Sequence, residues 1–292
     1  MEPDIIDTPL IDPNLSSYER FFDHEWAKDT FAVAKNTPLE DAVNALVMAW
    51  RSTNGAHILP WLMVESLKAF AQGELDGNIR YRASYSDQVV KGFVNKLEGM
   101  MQYSLKLDQR SALKRAVARI EEEAHQAIKT AREQVQFEVT GYWQFLVKAQ
   151  EFQFCILGIQ RINYGSLFFA YEDFLANVIR TKEPTYSSKR EPIKAAFARN
   201  FGDSLTDFCW NHDDVDLARL VRNALAHNGG RFGKDLEKYR PLFANVTGTD
   251  KPLLQPDRIN LVDEKIQITP DNTTHLFGVL KKRVSKIIPE TV

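Results

Sequence analysis

The chain has 292 residues, and its 44% hydrophobic and 26% charged residues are ordinary for a globular protein. This composition allows a sizeable core and argues against wholesale disorder, while the length allows two domains or one domain with an extension. The net charge of −2 argues against a generally basic nucleic-acid coat, but it leaves room for a local basic patch.

Cysteine usage and the N-terminal composition bear on the compartment. Cys155 and Cys209 have aromatic neighbours and form no CxxC pair, so we interpret them as small buried hydrophobic residues in a reducing cytoplasm. Residues 1–4 are acidic, and no window approaches the roughly 18 apolar residues of a membrane span. We therefore expect a cytoplasmic protein with no signal peptide, no membrane contact, no bound metal and no cofactor.

Residues 1–107 are predicted to form an N-terminal arm followed by a helical extension of unknown role. Prolines and acidic residues favour an irregular arm over residues 1–38. Aromatic side chains in the second half of this arm are expected to pin it onto the body. These are Phe21, Phe22, Trp26 and Phe31.

Two helices are predicted after the arm. Thr37 and Glu40 are typical of a capped helix start, with Pro38 at the first helical position, and Asn54-Gly55 is expected to end this helix. The second helix is predicted from Pro60 to Gln72, where Gly73 follows as a stop.

Residues 108–292 are predicted to form one long central helix and a C-terminal helical bundle. A further helix is expected just before it, over residues 86–106. From Asp108 to Gly141, apolar residues recur at steps of three and four without an interrupting proline or glycine. Either a coiled-coil dimer arm or a solvated bundle helix fits this pattern, and the alanine-rich seam favours the bundle helix.

The bundle itself is predicted from an aromatic segment onward. A helical stripe of large apolar residues runs from Leu167 to Val178, a basic loop follows, and a short helix is expected over residues 191–199. The next helix begins at Asp213 or Asp214 and ends at Gly229 or Gly230.

The C-terminal end adds a small β element to this all-α class. Residues 239–257 are predicted to be loop. A short hairpin is then expected around Asp263-Glu264, and a final helix from Pro270 to Ile288.

One helix end carries most of the functional information. It reads Arg222-Asn223-Ala224-Leu225-Ala226-His227, followed by Asn228-Gly229-Gly230. Arginine binds phosphate oxygens with a permanent charge, and histidine transfers protons near neutral pH. Since the RNA 2′-hydroxyl is itself a nucleophile, these groups can cleave RNA without a metal. Alternatively, His227 stabilises the helix dipole and Arg222 forms a surface ion pair with Asp214 or Asp216.

The motif and the order of helices around it resemble the HEPN domain over roughly residues 150–288. That family has a signature of Arg, four to six residues and His, here Arg222 and His227 with the polar Asn223 after the arginine. The resemblance implies a helical bundle acting as a metal-independent endoribonuclease in stress or antiphage defence, with an antitoxin or defence protein as partner. It implies products with 2′,3′-cyclic phosphate and 5′-hydroxyl ends. The alternative is a non-catalytic HEPN-like module that dimerises or binds a partner or nucleotide.

Helix geometry makes dimerisation part of this hypothesis. Asn223 and His227 share a helix face, where Asn223 can orient the imidazole or the phosphate, but Arg222 and His227 lie about 140° apart. One histidine also serves two proton transfers poorly. A two-fold homodimer, which the resemblance implies, supplies two copies of each residue to one composite active site.

Weaker candidates for contact with the RNA substrate surround the motif. They are Lys189, Arg190, Arg231, Glu172 and Asn228. Solubilising surface charge equally explains the basic residues and Glu172. Asn228 equally serves to adopt left-handed backbone geometry beside Gly229.

Overall fold

The computed structural model describes residues 15–75, 143–144, 146–246, 254–255 and 258–291, together with isolated positions between 92 and 126. These residues are mainly helical, with one small sheet before the last helix. The predicted all-α class with a small β element at this place is therefore confirmed. No helix in the described ranges combines the length and the apolar character that a bilayer crossing requires.

The elements follow one another along the chain with short connections. The α-helices are α1 (His24–Ala34), α2 (Glu40–His57), α3 (Leu59–Leu75), α4 (Gln150–Lys182), α5 (Ile193–Phe201), α6 (Asp203–Thr206), α7 (Asp213–His227) and α8 (Pro270–Thr291). Turns of 3₁₀ helix occupy Leu15–Tyr18 and Lys234–Leu242, and a π-helical turn occupies Asp207–Asn211. The strands are β1 (Phe243–Val246), β2 (Ile259–Val262) and β3 (Lys265–Gln267).

The chain divides into two compact units. The first comprises residues 1–19, 56–159 and 249–254, and the second comprises residues 20–55, 160–248 and 255–292. The boundary predicted near residue 107 lies outside the described residues. So do most of the helices predicted over residues 86–106 and from Asp108 to Gly141, although every described position within them is helical.

Aromatic packing orders the described part of the first unit. Tyr18 is fully buried and meets Trp143 edge-on, with the ring centroids 5.8 Å apart. Phe152 meets the same indole at 5.7 Å. The buried imidazole of His57 lies 3.2 Å from the carbonyl oxygen of Ser17, which ties the end of α2 to the first 3₁₀ turn.

The second unit is organised around the buried face of α4. The predicted stripe is confirmed, because Leu167, Phe168, Tyr171, Leu175 and Val178 are all completely buried. Burying each such side chain contributes about 1.5–3 kcal/mol relative to exposure. The predicted inward face of α8, from Leu276 to Ile287, is likewise buried against the same core.

The predicted irregular arm is wrong in its second half, which forms α1. Asp23 caps this helix by accepting a hydrogen bond from the backbone N–H of Trp26 at 2.9 Å. The predicted aromatic anchoring is confirmed, since Phe22 and Trp26 pack on Phe277 of α8 at centroid distances of 6.0 and 6.1 Å. The capping aspartate was the local signal for this helix.

The predicted end of α2 at Asn54-Gly55 is also wrong, because α2 continues to His57. The Asn54 side chain is buried, and its Oδ1 accepts hydrogen bonds from the backbone N–H groups of Phe21 and Phe22, each at 3.0 Å. Asn54 thus serves the chain that enters α1 and not a helix stop. In the same way α3 passes through Gly73 and ends at Leu75.

The small sheet contains one strand more than the predicted hairpin. β2 and β3 are antiparallel around Asp263 and Glu264, whose φ values of 51° and 57° are those of a type I′ turn. The prediction of a loop over residues 239–257 is wrong at its start, because the 3₁₀ helix leads directly into β1, which pairs in parallel with β2. Four residues of short-range pattern are too few to predict such a strand.

Replacing Asn54 with Ala removes the acceptor for two backbone donors. We expect the free energy of unfolding to fall by about 2–3 kcal/mol, since each donor is then buried without a partner. The matched control is Asn44→Ala, an exposed asparagine of the same helix, which we expect to cost little. Equal costs for the two variants in urea unfolding would contradict the role assigned to Asn54.

Candidate active site

The motif helix α7 is amphipathic and firmly seated. Its inner face carries five buried residues, which are Val215, Ala218, Val221, Ala224 and Leu225. The N-cap is His212, whose Nδ1 accepts the backbone N–H of Asp214 at 3.4 Å. The prediction that Asp213 or Asp214 is the N-cap is therefore wrong by one or two residues.

The helix ends at the glycines, as the sequence predicts. Gly229 and Gly230 have φ values of 62° and 82°, and the Gly230 N–H donates to the carbonyl of Ala224 at 2.9 Å. This is the bond pattern of a Schellman helix end. Asn228 has a φ of −105°, so the interpretation that it takes up left-handed geometry is wrong.

Two neighbouring elements hold the turn after His227. From α4, Arg161 donates through Nη2 to the carbonyl oxygen of Leu225 at 2.6 Å, which places a cation at the negative end of α7. From the hairpin, the N–H of Ile266 donates to the carbonyl oxygen of Gly230 at 2.8 Å. The backbone that carries His227 is thus fixed on both sides.

Arg222 is held against α4. Its Nη2 forms an ion pair with Glu172, its Nη1 donates to Oδ1 of Asn223 at 2.8 Å, and its guanidinium carbon lies 5.7 Å from the centroid of the Phe168 ring. The side chains of Arg222 and Glu172 are each 18% exposed. Partial burial lowers the pKa of Arg222 below its ordinary value, far above neutrality, so the guanidinium stays charged.

Arg222 does not pair with Asp214 or Asp216, so that alternative is wrong. Asp216 is engaged by Arg219, by Lys238 at 2.7 Å and by the Tyr239 hydroxyl at 2.9 Å. Burial alone would raise the pKa of Asp216, but these hydrogen bonds outweigh burial and lower it.

His227 lies apart from this polar group. Its side chain is exposed, and within the described chain it forms no hydrogen bond or ion pair. Asn223 directs its Oδ1 to Arg222 and makes no hydrogen bond to the imidazole. The structure thus brings Arg222, Asn223 and Glu172 together and leaves His227 separate, in keeping with the angular offset of Arg222 and His227 on an ideal helix.

The weaker candidates lie in two places. Lys189 and Arg190 are exposed in the turn between α4 and α5, and neither forms a hydrogen bond or ion pair with the motif residues in the described ranges. Asn228 and Arg231 are exposed on either side of the glycines. Glu172 is the one candidate of this group that contacts Arg222.

Arg161 escaped the sequence analysis. It lies eleven residues before Glu172, close to three full turns, so both side chains project from one face of α4 with Phe168 between them. This face meets α7 at Leu225 and at Arg222. A single arginine inside a strongly apolar segment was the available signal for a polar contact to another helix.

Comparisons of this chain with protein-family models, with curated proteins and with solved structures give no match. Within the described residues, no three His, Cys, Asp or Glu side chains cluster closely enough to hold a metal ion.

Alanine substitutions at the two glycines separate backbone strain from the Arg161 contact. At Gly229 an added Cβ meets nothing within 4 Å, so Gly229→Ala carries only left-handed strain of about 1 kcal/mol. At Gly230 the Cβ would lie 3.3 Å from the Arg161 guanidinium, and displacing it weakens the bond to Leu225. We expect Gly230→Ala to cost about 2 kcal/mol in urea unfolding, and equal costs would contradict the contact.

Proposed function

We propose that this protein is a metal-independent endoribonuclease of HEPN type that acts as a homodimer. The observation that carries the proposal is the arrangement of α7, in which a charged arginine is held beside a carboxylate and a histidine is exposed on a fixed helix end. Stress or antiphage defence is the role that the family resemblance suggests.

Arg222 is assigned to the phosphate. Its two described hydrogen-bonding contacts, to Glu172 and Asn223, use two of the five guanidinium N–H groups. Donors remain on both Nη atoms, so a phosphate oxygen can bind without complete loss of the Glu172 contact. In the transition state the added negative charge on phosphorus strengthens this interaction, which is the condition for catalysis.

His227 is assigned to proton transfer. One imidazole removes the proton from the 2′-hydroxyl, whose oxygen then attacks the adjacent phosphorus. The bond from phosphorus to the 5′-oxygen breaks, and an imidazolium donates a proton to that leaving oxygen. The products have a 2′,3′-cyclic phosphate and a 5′-hydroxyl.

The homodimer supplies the second histidine. Base and acid act on opposite sides of an in-line displacement, and a single exposed side chain per chain reaches only one of them. Two-fold symmetry places two His227 and two Arg222 around one groove. The exposure of His227 and the absence of a partner for it in the described chain support this arrangement.

The proposal is tested with purified protein and RNA in the presence of a metal chelator. We expect cleavage by the parent protein, with products identified by mass spectrometry from their cyclic phosphate ends. His227→Ala and Arg222→Ala each lower the cleavage rate by about 100-fold or more, because each removes a group that acts in the transition state.

Two variants control for nonspecific effects. Arg219→Ala removes an arginine one turn earlier on α7, also paired with an aspartate and stacked on an aromatic ring, Trp210. His275→Ala removes another exposed histidine, from α8. Both controls should retain cleavage within a few-fold. Parental rates for His227→Ala and Arg222→Ala would refute the enzyme, and a dimer that never cleaves RNA would favour the non-catalytic module.

A further inference from the structure

Two cations lie directly opposite each other beside the motif turn. Arg231 and Lys265 form an antiparallel β-bridge between the chain leaving α7 and strand β3. Hydrogen bonds flank the bridge on both sides, from Phe232 N–H to the Glu264 carbonyl and from Ile266 N–H to the Gly230 carbonyl, each 2.8 Å long. The bridge is therefore of the non-hydrogen-bonded kind, in which Cα atoms are about 4.5 Å apart and side chains are closest.

This arrangement is unfavourable for folding. Side chains of directly opposite residues emerge on the same face of the sheet, and like charges there are destabilising. Both side chains are exposed, and neither forms an ion pair with a carboxylate in the described part of the chain. The nearest acidic neighbour in sequence, Glu264, is instead engaged by Arg240 at 3.3 Å.

The position of this pair connects it to the proposed site. His227 lies four residues before Arg231, so their Cα atoms are at most about 14 Å apart. The turn between them is fixed by Arg161 and by the hairpin, so the two cations keep a constant position relative to the imidazole. An extended polyanion that places one phosphate at His227 can place neighbouring phosphates here.

We propose that Arg231 and Lys265 form a phosphate clamp for the sugar–phosphate backbone of single-stranded RNA, next to the scissile phosphate. The inference rests on the proposed function for the identity of the polyanion. The clamp reads no base and adds affinity through the release of counterions. Binding of phosphate relieves the repulsion that the free protein carries.

The test measures affinity on a substrate that cannot be cleaved. A fluorescent 2′-O-methyl oligouridylate serves as the probe, because its blocked 2′-oxygen is no nucleophile. For the double variant Arg231→Gln with Lys265→Gln, we expect affinity near 0.1 M salt to fall about 10–30-fold. The slope of log affinity against log salt should decrease by about 1.4, the value for two phosphate contacts on a single strand.

A matched pair controls for the loss of two charges. Arg258 and Lys282 are an exposed arginine and lysine of the same unit without an ion pair in the described ranges. Changing both to Gln should leave the salt slope within about 0.5 of the parent slope. Equal slopes for the two double variants would overturn the clamp.

Thermal unfolding separates binding from a structural role. Lys265→Glu converts the repulsive pair into an attractive one, so Tm should rise by about 1–4 °C while RNA affinity falls. A fall in Tm together with unchanged RNA affinity would mean that Lys265 supports the fold and not the substrate.

Two further arms identify the ligand and the level of any failure. A fluorescent polyglutamate that loses as much affinity as the RNA probe in the double variant would overturn an RNA clamp in favour of an acidic protein surface. Cleavage of unmodified RNA is measured in parallel. A parent that binds through the pair but never cleaves refutes only the enzyme, whereas cleavage with an unchanged salt slope refutes only the clamp.

Discussion

The burial of one face of α4 is the constraint on which the candidate site depends. Its stripe of large side chains lies in the core of the second unit, so the helix cannot rotate without exposing them. That fixed orientation directs a second face, carrying Arg161, Phe168 and Glu172, toward α7. Hydrophobic packing thus decides where two charges are presented to the motif helix.

The polar contacts between these helices differ in what they do. Arg161 meets the carbonyl end of α7, where a cation is favourable for the helix dipole, and it fixes the turn beside His227. Glu172 meets Arg222 in a half-buried environment, where leaving either charge without its partner would be costly. The first contact serves position, and the second keeps a charged guanidinium at a place where it can also meet phosphate.

The small sheet adds the second support for the turn. Because β3 lies between β2 and the chain around Gly230, the hairpin stabilises the exit from α7 through backbone hydrogen bonds. The same bridge brings Arg231 and Lys265 together, at a cost in repulsion that backbone pairing tolerates. Stability and a charge pattern suited to a polyanion are therefore built by one pair of strands.

Local signals were sufficient for much of this fold. The helix end at Gly229 and Gly230, the buried stripe of α4 and the hairpin around Asp263-Glu264 all follow from turn chemistry and periodicity, which act over a few residues. The errors came where a distant partner overrode a local signal. Asn54-Gly55 reads as a helix stop until Phe21 and Phe22 supply backbone donors to the asparagine.

The sequence by itself determined the helical class, the amphipathic α7 and the presence of arginine, asparagine and histidine at its end. Only the tertiary structure decided that Arg222 meets Glu172 and not Asp214 or Asp216, that Arg161 supports the turn, and that Lys265 faces Arg231. Arg161 and Leu225 are 64 residues apart in the chain. Contacts over such separations leave no periodic signal, because they depend on how packed helices orient their remaining faces.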